Sequence, residues 1–205
     1  KKALEIGRKE FNDQYIQAEM IYNSVAKAYM NIKEMNEARI HYERALVINL
    51  ESKGEKHPIT IKTYIYLGNY WTASKDYSKG LQYFYKALKA YENGVEILHD
   101  IILDTHYSIA NNFYQQGKLI TALKHYQLAL TTLLPDYQET DFYCLPNIQQ
   151  CVFIPPASFL KILGGKASSL YDYALTLEKK NFPKAIKTLK ASLKNCQLAA
   201  DYLLQ

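Results

Sequence analysis

The sequence predicts an all-α chain, a solenoid of antiparallel helix hairpins, and three observations carry that expectation. The chain repeats on itself at a shift of 42 residues. Within each repeat the apolar residues recur at helical spacing. Turn formers are scarce, with eight glycines and six prolines in 205 residues, too few for an all-β fold. The composition, 48% hydrophobic and 22% charged, is that of a globular chain and excludes disorder. No apolar run reaches the ~18 residues that span a bilayer, and Lys1-Lys2-Ala3-Leu4-Glu5 is no signal-peptide core. The three cysteines, Cys144, Cys151 and Cys196, form neither a disulfide framework nor a C-x-x-C pair, which points to a reducing, cytoplasmic setting.

The elements follow in order. Ala3, Ala45, Ala87 and Ala129 align at the 42-residue shift, each followed by leucine. Tyr22, Tyr64 and His106 align, as do Val25, Leu67 and Ile109, then Ala26, Gly68 and Ala110, then Tyr29, Trp71 and Phe113. A second series follows: Met35, Tyr77 and Leu119; Ala38, Gly80 and Ala122; Tyr42, Phe84 and Tyr126. Tyr64, Leu67, Gly68 and Trp71 stand at i, i+3, i+4, i+7, and Gly80, Phe84, Ala87 and Leu88 at similar spacing, with Lys75-Asp76-Tyr77 as the turn between them. Each unit therefore reads as two helices, with glycines where the backbones approach and aromatics filling the gaps. Residues 1–12 read as the second helix of a truncated repeat, so the chain reads as a fragment of a longer protein. Full units are expected at 13–52, 53–95 and 96–134, then an inserted loop at 135–156 with four of the six prolines, then a degenerate helix pair at 157–205. In that last pair Phe182, Ala185, Leu189 and Leu193 match Leu119, Ala122, Tyr126 and Leu130 at a shift of 63, and Gly164-Gly165 marks a bend or a close approach.

These positions resemble the tetratricopeptide repeat, most closely in Tyr64, Leu67, Gly68, Trp71, Tyr77, Gly80, Phe84 and Ala87. The long unit and Gly54-Glu55-Lys56-His57-Pro58 are similar to the kinesin-light-chain form of that repeat. The resemblance implies a right-handed superhelix with the first helix of each pair on the concave side. Leu133-Leu134-Pro135-Asp136-Tyr137, the insert, and Phe159 to Ala167 resemble the last repeats of bacterial proteins that join such repeats to a caspase-like CHAT peptidase. That likeness implies the sensor or recruitment arm of such a protein. The kinesin-light-chain likeness alone implies a free-standing cargo or assembly adaptor.

No residue pattern in the chain itself suggests catalysis. His41, His57, His99, His106 and His125 read as packing or surface groups, and His106 takes an aromatic core position. Metal-ligand spacing, a P-loop and a dinucleotide fingerprint are lacking. The chain reads as a non-enzyme that needs no cofactor and no metal.

The family pattern implies a partner-binding concave face built from Asn23, Lys27 and Asn31, then Lys62, Ile65 and Asn69, then Asp104, Tyr107, Asn111 and Tyr114. Asparagine amides pair with the main chain of an extended peptide, lysines meet its acidic groups, and tyrosines supply apolar contact. The expected partner is a protein or extended peptide, or a neighbouring domain of the same chain; no membrane partner is expected. The loop's Phe142, Tyr143, Val152, Phe153 and Ile154 are expected to cap the third repeat, with insertion into the groove as the alternative. Residues 1–160 balance 17 Lys+Arg against 17 Asp+Glu, so the net charge of +5 comes from eight lysines that follow. Lys180, Lys184, Lys187, Lys190 and Lys194 share one helix face, which suits solvent, an acidic protein or a neighbouring domain. Nucleic acid is disfavoured, because no arginine follows Arg44.

Overall fold

The computed structural model describes residues 18–92, 99–151, 156–177 and 181–204. The helix expected over 1–12, and Val152, Phe153 and Ile154 of the insert, lie outside them. The described residues form eight α-helices: α1 (Ala18–Asn31), α2 (Met35–Lys53), α3 (Pro58–Ala73), α4 (Tyr77–Glu92), α5 (His99–Gln115), α6 (Leu119–Leu133), α7 (Pro156–Leu177) and α8 (Phe182–Leu203). A short 3-10 turn, Ile148–Cys151, stands in the insert. The chain divides into two compact units, Lys1–Ile101 and Ile102–Gln205.

The repeat is visible in the backbone. The residues with left-handed φ in the first three hairpin turns are Lys33 (φ 62°), Lys75 (φ 63°) and Gly117 (φ 71°), spaced by the 42-residue period. The next amide in each reaches back to a carbonyl five residues earlier: Glu34 to Tyr29 at 3.0 Å, Asp76 to Trp71 at 2.9 Å, Lys118 to Phe113 at 2.9 Å. This is the Schellman closure of a helix C-terminus. Helix starts are chosen by side chains. The His57 Nδ1 accepts from the Ile59 amide at 3.2 Å ahead of Pro58. Asp76 accepts from the Lys79 amide at 3.1 Å, and Asn181 from the Lys184 amide at 3.1 Å.

In the first unit, Ala26, Ala38, Tyr42, Leu67 and Tyr70 are buried together, with Tyr29, Tyr66, Trp71 and Tyr83 packed around them. Much of the tyrosine excess is therefore mortar between helices. Gly68 has the expected role: a Cβ there would collide with the ring of Phe84 on the paired helix. A polar node joins three helices. The Thr63 hydroxyl on α3 accepts from the amides of Asn23 on α1 (3.0 Å) and Asn49 on α2 (2.9 Å), and donates to the Ile59 carbonyl (2.9 Å).

In the second unit, α7 runs unbroken through Gly164-Gly165, and the close approach is the reason for the second glycine. A Cβ on Gly165 would lie 2.5 Å from the ring of Tyr126 on α6. The insert is a wedge within this unit. Its Tyr137 and Cys151 are buried with Leu130 and Leu134, with Phe159, Ile162 and Leu163 of α7, and with Leu198 of α8. Phe142 and Tyr143 pack on Leu123, Leu170, Tyr173 and Ala191.

The match at 63 residues holds for only part of α8. Ala185, like Ala122, is buried. Phe182, Leu189 and Leu193 are exposed, whereas Tyr126 and Leu130 are buried. The reason is the neighbour: α7 packs on α6, and no described helix covers the outer side of α8.

Candidate binding face

The first helices of the hairpins distribute the expected contact residues unevenly. On α1 and α3, Lys27, Asn31, Lys62 and Asn69 are exposed. None of the four has a hydrogen-bond or ion-pair partner among the described residues. Asn23 and Ile65 are a correction. Both are buried, Asn23 with its amide committed to Thr63 and Ile65 in the core. The hydrogen bond to Thr63 puts Asn23 at the seam between α1 and α3. Met20 and Ala73 are exposed, whereas Thr72 is buried with its hydroxyl on the Gly68 carbonyl.

In the second unit, α5 and α7 form a continuous polar and aromatic surface. The Tyr114 hydroxyl donates to Asp172 Oδ2 at 2.7 Å. Lys161 Nζ stands 4.0 Å above the centre of the Tyr107 ring and 4.0 Å from Asp104 Oδ1. Asn111 is half-buried on the same helix. Tyr114 also lines a recess of about 510 Å³ with Gly164, Ser168, Tyr171 and Asp172 of α7 and Ser192 and Cys196 of α8. The carboxylate of Asp172 and burial both push the Tyr114 phenol upward, so it stays a donor.

Three titratable groups of this unit are drawn away from solvent, His106 and His125 in part and Lys166 fully. His106 and His125 face each other with Nδ1 atoms 3.3 Å apart, and Phe113 stacks on His125. Burial, and then the neighbouring His125, hold His106 down to about 4; burial also lowers His125. Lys166 on α7 is fully buried. Its Nζ donates to Gln127 Oε1 at 2.6 Å and to the Cys144 carbonyl at 2.7 Å. Gln127 in turn donates to the Glu139 carbonyl at 2.7 Å and the Tyr137 hydroxyl at 3.3 Å. Desolvation brings the lysine down to about 7, opposed by Cys144 and Asp141. A neutral amine has two N–H donors, which these two acceptors satisfy. The knot fastens the insert to α6 and α7. In the sequence Lys166 stands out only as one of the eight lysines of the basic excess and as part of the Phe159 to Ala167 resemblance, not as a buried group. A signal existed, because Phe159, Ile162, Leu163, Lys166, Leu170 and Tyr173 form one helical stripe whose other members are apolar.

Among the described residues there is no cluster of three His, Cys, Asp or Glu able to hold a metal ion. No described helix is long and apolar enough to cross a membrane.

A tetratricopeptide repeat family model matches residues 17–93. No curated protein matches the chain by sequence. Among solved structures, BtubC (BKLC) from P. vanneervenii is similar with a TM-score of 0.59 at 18% identity, over 71% of this chain and 56% of that one. The chain thus spans little more than half the length of BtubC. YrrB, described as a TPR protein with an unusual peptide-binding site, gives a TM-score of 0.48 at 18% identity, over 99% of this chain and 98% of its own. The described residues therefore form an all-α helical-repeat fold, and residues 17–93 are similar to the tetratricopeptide repeat family.

Proposed function

We propose that the chain is a non-catalytic module that binds an extended peptide or protein segment on the first helices of its hairpins. One observation carries this reading. Lys27, Asn31, Lys62 and Asn69 lie exposed on α1 and α3 with their polar groups uncommitted. An asparagine amide offers a donor and an acceptor to a peptide main chain, and each lysine offers charge to a carboxylate. The α5–α7 surface of the second unit, with Tyr107, Asn111 and Tyr114, supplies aromatic contact beside Asp104 and Asp172. Attachment to a caspase-like peptidase rests on the resemblance of residues 133–167, and sequence beyond Gln205 tests it. A strand–helix domain with a histidine and a cysteine supports the sensor arm; further repeats or coiled coil support the adaptor.

The test of binding is selection from a displayed library of random peptides, followed by affinity measurements on variants. Asn69→Ala with Lys62→Ala should weaken a selected peptide at least about tenfold with unchanged helicity. Asn111→Ala reports separately on the second unit. Selected peptides whose affinity ignores all three substitutions would remove the first-helix faces from consideration.

A further inference from the structure

The outer side of α8 carries a second surface, separate from the first-helix faces. Phe182, Ile186, Leu189 and Leu193 follow one another at spacings of four, three and four, which stacks them in a single stripe. They are 64, 38, 40 and 69% exposed. Lys187, Lys190 and Lys194 run along one edge of this stripe. None of the three has a carboxylate partner among the described residues. Beside them opens a recess of about 420 Å³, walled by Tyr143 of the insert and by Pro183, Ile186, Lys187, Lys190, Ala191 and Lys194. Lys187 Nζ stands 4.7 Å above the centre of the Tyr143 ring, which holds that wall in place.

The register of the stripe says what shape fits it. Leu189 and Leu193 occupy the positions of Tyr126 and Leu130 on α6, and in α6 those side chains are covered by a helix, α7. An occupant in helical form reproduces that contact. The charge says what composition fits it. Along α8, Lys184, Lys187, Lys190 and Lys194 face only Asp201. We propose that this face docks an amphipathic helix of a partner protein, with leucine-like residues on one stripe and glutamate or aspartate along the edge that meets Lys187, Lys190 and Lys194. A side chain of such a helix enters the recess, which a flat bilayer surface leaves empty. A second copy of α8 would set lysines against lysines.

The probe is a synthetic peptide of about 18 residues with leucines at helical a/d spacing and glutamates along one edge. Its control is the same peptide with lysines in place of the glutamates. Fluorescence anisotropy against the intact chain should show the acidic peptide bound at least about tenfold more tightly, with the preference shrinking in salt. Lys187→Glu with Lys190→Glu and Lys194→Glu should reverse the preference. Leu189→Ser with Leu193→Ser should lose at least about tenfold in affinity without changing the fold, because both side chains are already in solvent. The proposal is overturned by equal binding of both peptides or by binding of neither. It is also overturned by uptake onto phosphatidylserine vesicles with no peptide preference, or by a dimer in sedimentation that Leu193→Ser dissolves.

Discussion

Helices α6 and α8 carry nearly the same pattern and meet opposite fates. Leu119, Ala122, Tyr126 and Leu130 in α6 correspond to Phe182, Ala185, Leu189 and Leu193 in α8. In α6 the alanine, the tyrosine and the last leucine are all buried. In α8 only the alanine is. Ala122 is buried with Ala110 of the preceding helix α5. Tyr126 packs on Ala110 and Tyr107 of α5 and is closed over by Gly165 of α7, and Leu130 lies between Leu103 of α5 and Phe159 and Ile162 of α7, whereas among the described residues no following helix closes over Leu189 and Leu193 of α8. The comparison teaches that a repeat pattern specifies two faces, and that the second becomes core only when a following element arrives. It also explains Gly165: the helix that covers Tyr126 must give up a Cβ to come close enough.

The largest effect should come from truncating matched positions. Tyr126→Ala should cost about 3–5 kcal/mol in urea unfolding, the usual range for a buried aromatic. Leu189→Ala, at the corresponding place in α8, should change stability by no more than about 0.5 kcal/mol. Similar costs at the two sites would mean that the outer face of α8 is covered after all. On the covering side, Gly165→Val should cost about 1–3 kcal/mol by driving a side chain into Tyr126. Gly164→Val, with nothing near its Cβ direction, should carry only the small propensity change of an exposed helix position.

The buried amine behind that contact sets a pH dependence. Lys166 is held at about 7 in the folded chain and ionises near 10.4 when unfolded. Between those values the unfolded state binds the extra proton, so stability should rise with pH, by at most about 1.4 kcal/mol per unit. Below pH 7 the cost of the buried charge is fully present. Lys166→Met should flatten the unfolding free energy between pH 7 and 9.5, whereas an unchanged slope would place its origin elsewhere. Above pH 10 the tyrosines act in the other direction, since burial raises Tyr42, Tyr64 and Tyr137 to about 12 and their contribution is lost as the unfolded phenols ionise. At the acid end, His106 stays neutral down to about 4, so stability should fall as pH drops from 6.5 to 4. His106→Phe should remove part of that fall, read as a few degrees in Tm.

The smallest effect tests the repeat half of the comparison. Lys75 sits at φ 63° where the third hairpin has Gly117 at φ 71°. Lys75→Gly should stabilise by up to about 1 kcal/mol, and Gly117→Lys should destabilise by a similar amount, in thermal melts.

The fold class, the hairpins and the function of Gly68 were legible in the sequence, because helical spacing and a fixed period are properties of the chain itself. The candidate face was legible only in part. Lys27, Asn31, Lys62 and Asn69 are exposed, but Asn23 sits at the seam between α1 and α3 and Ile65 is buried in the core. A position number within a repeat cannot say how closely two first helices approach. Of the insert's residues expected to cap the third repeat, Phe142 and Tyr143 pack on Leu123 of its second helix and also on Leu170, Tyr173 and Ala191. The insert's Tyr137 and Cys151 supply core to residues far along the chain, which no local pattern encodes.

By itself the sequence determined a chain of helix hairpins, the turn positions that close them and the lysine-rich character of α8, since each follows from periodicity, backbone preference or charge count. Only the tertiary structure decided that Lys166 lies buried between α6, α7 and the insert, that Tyr126 is covered while Leu189 is open, and that Tyr114 is tied to Asp172. Burial belongs to a neighbour as much as to a residue, and neighbours distant in sequence are brought together by packing, not by pattern.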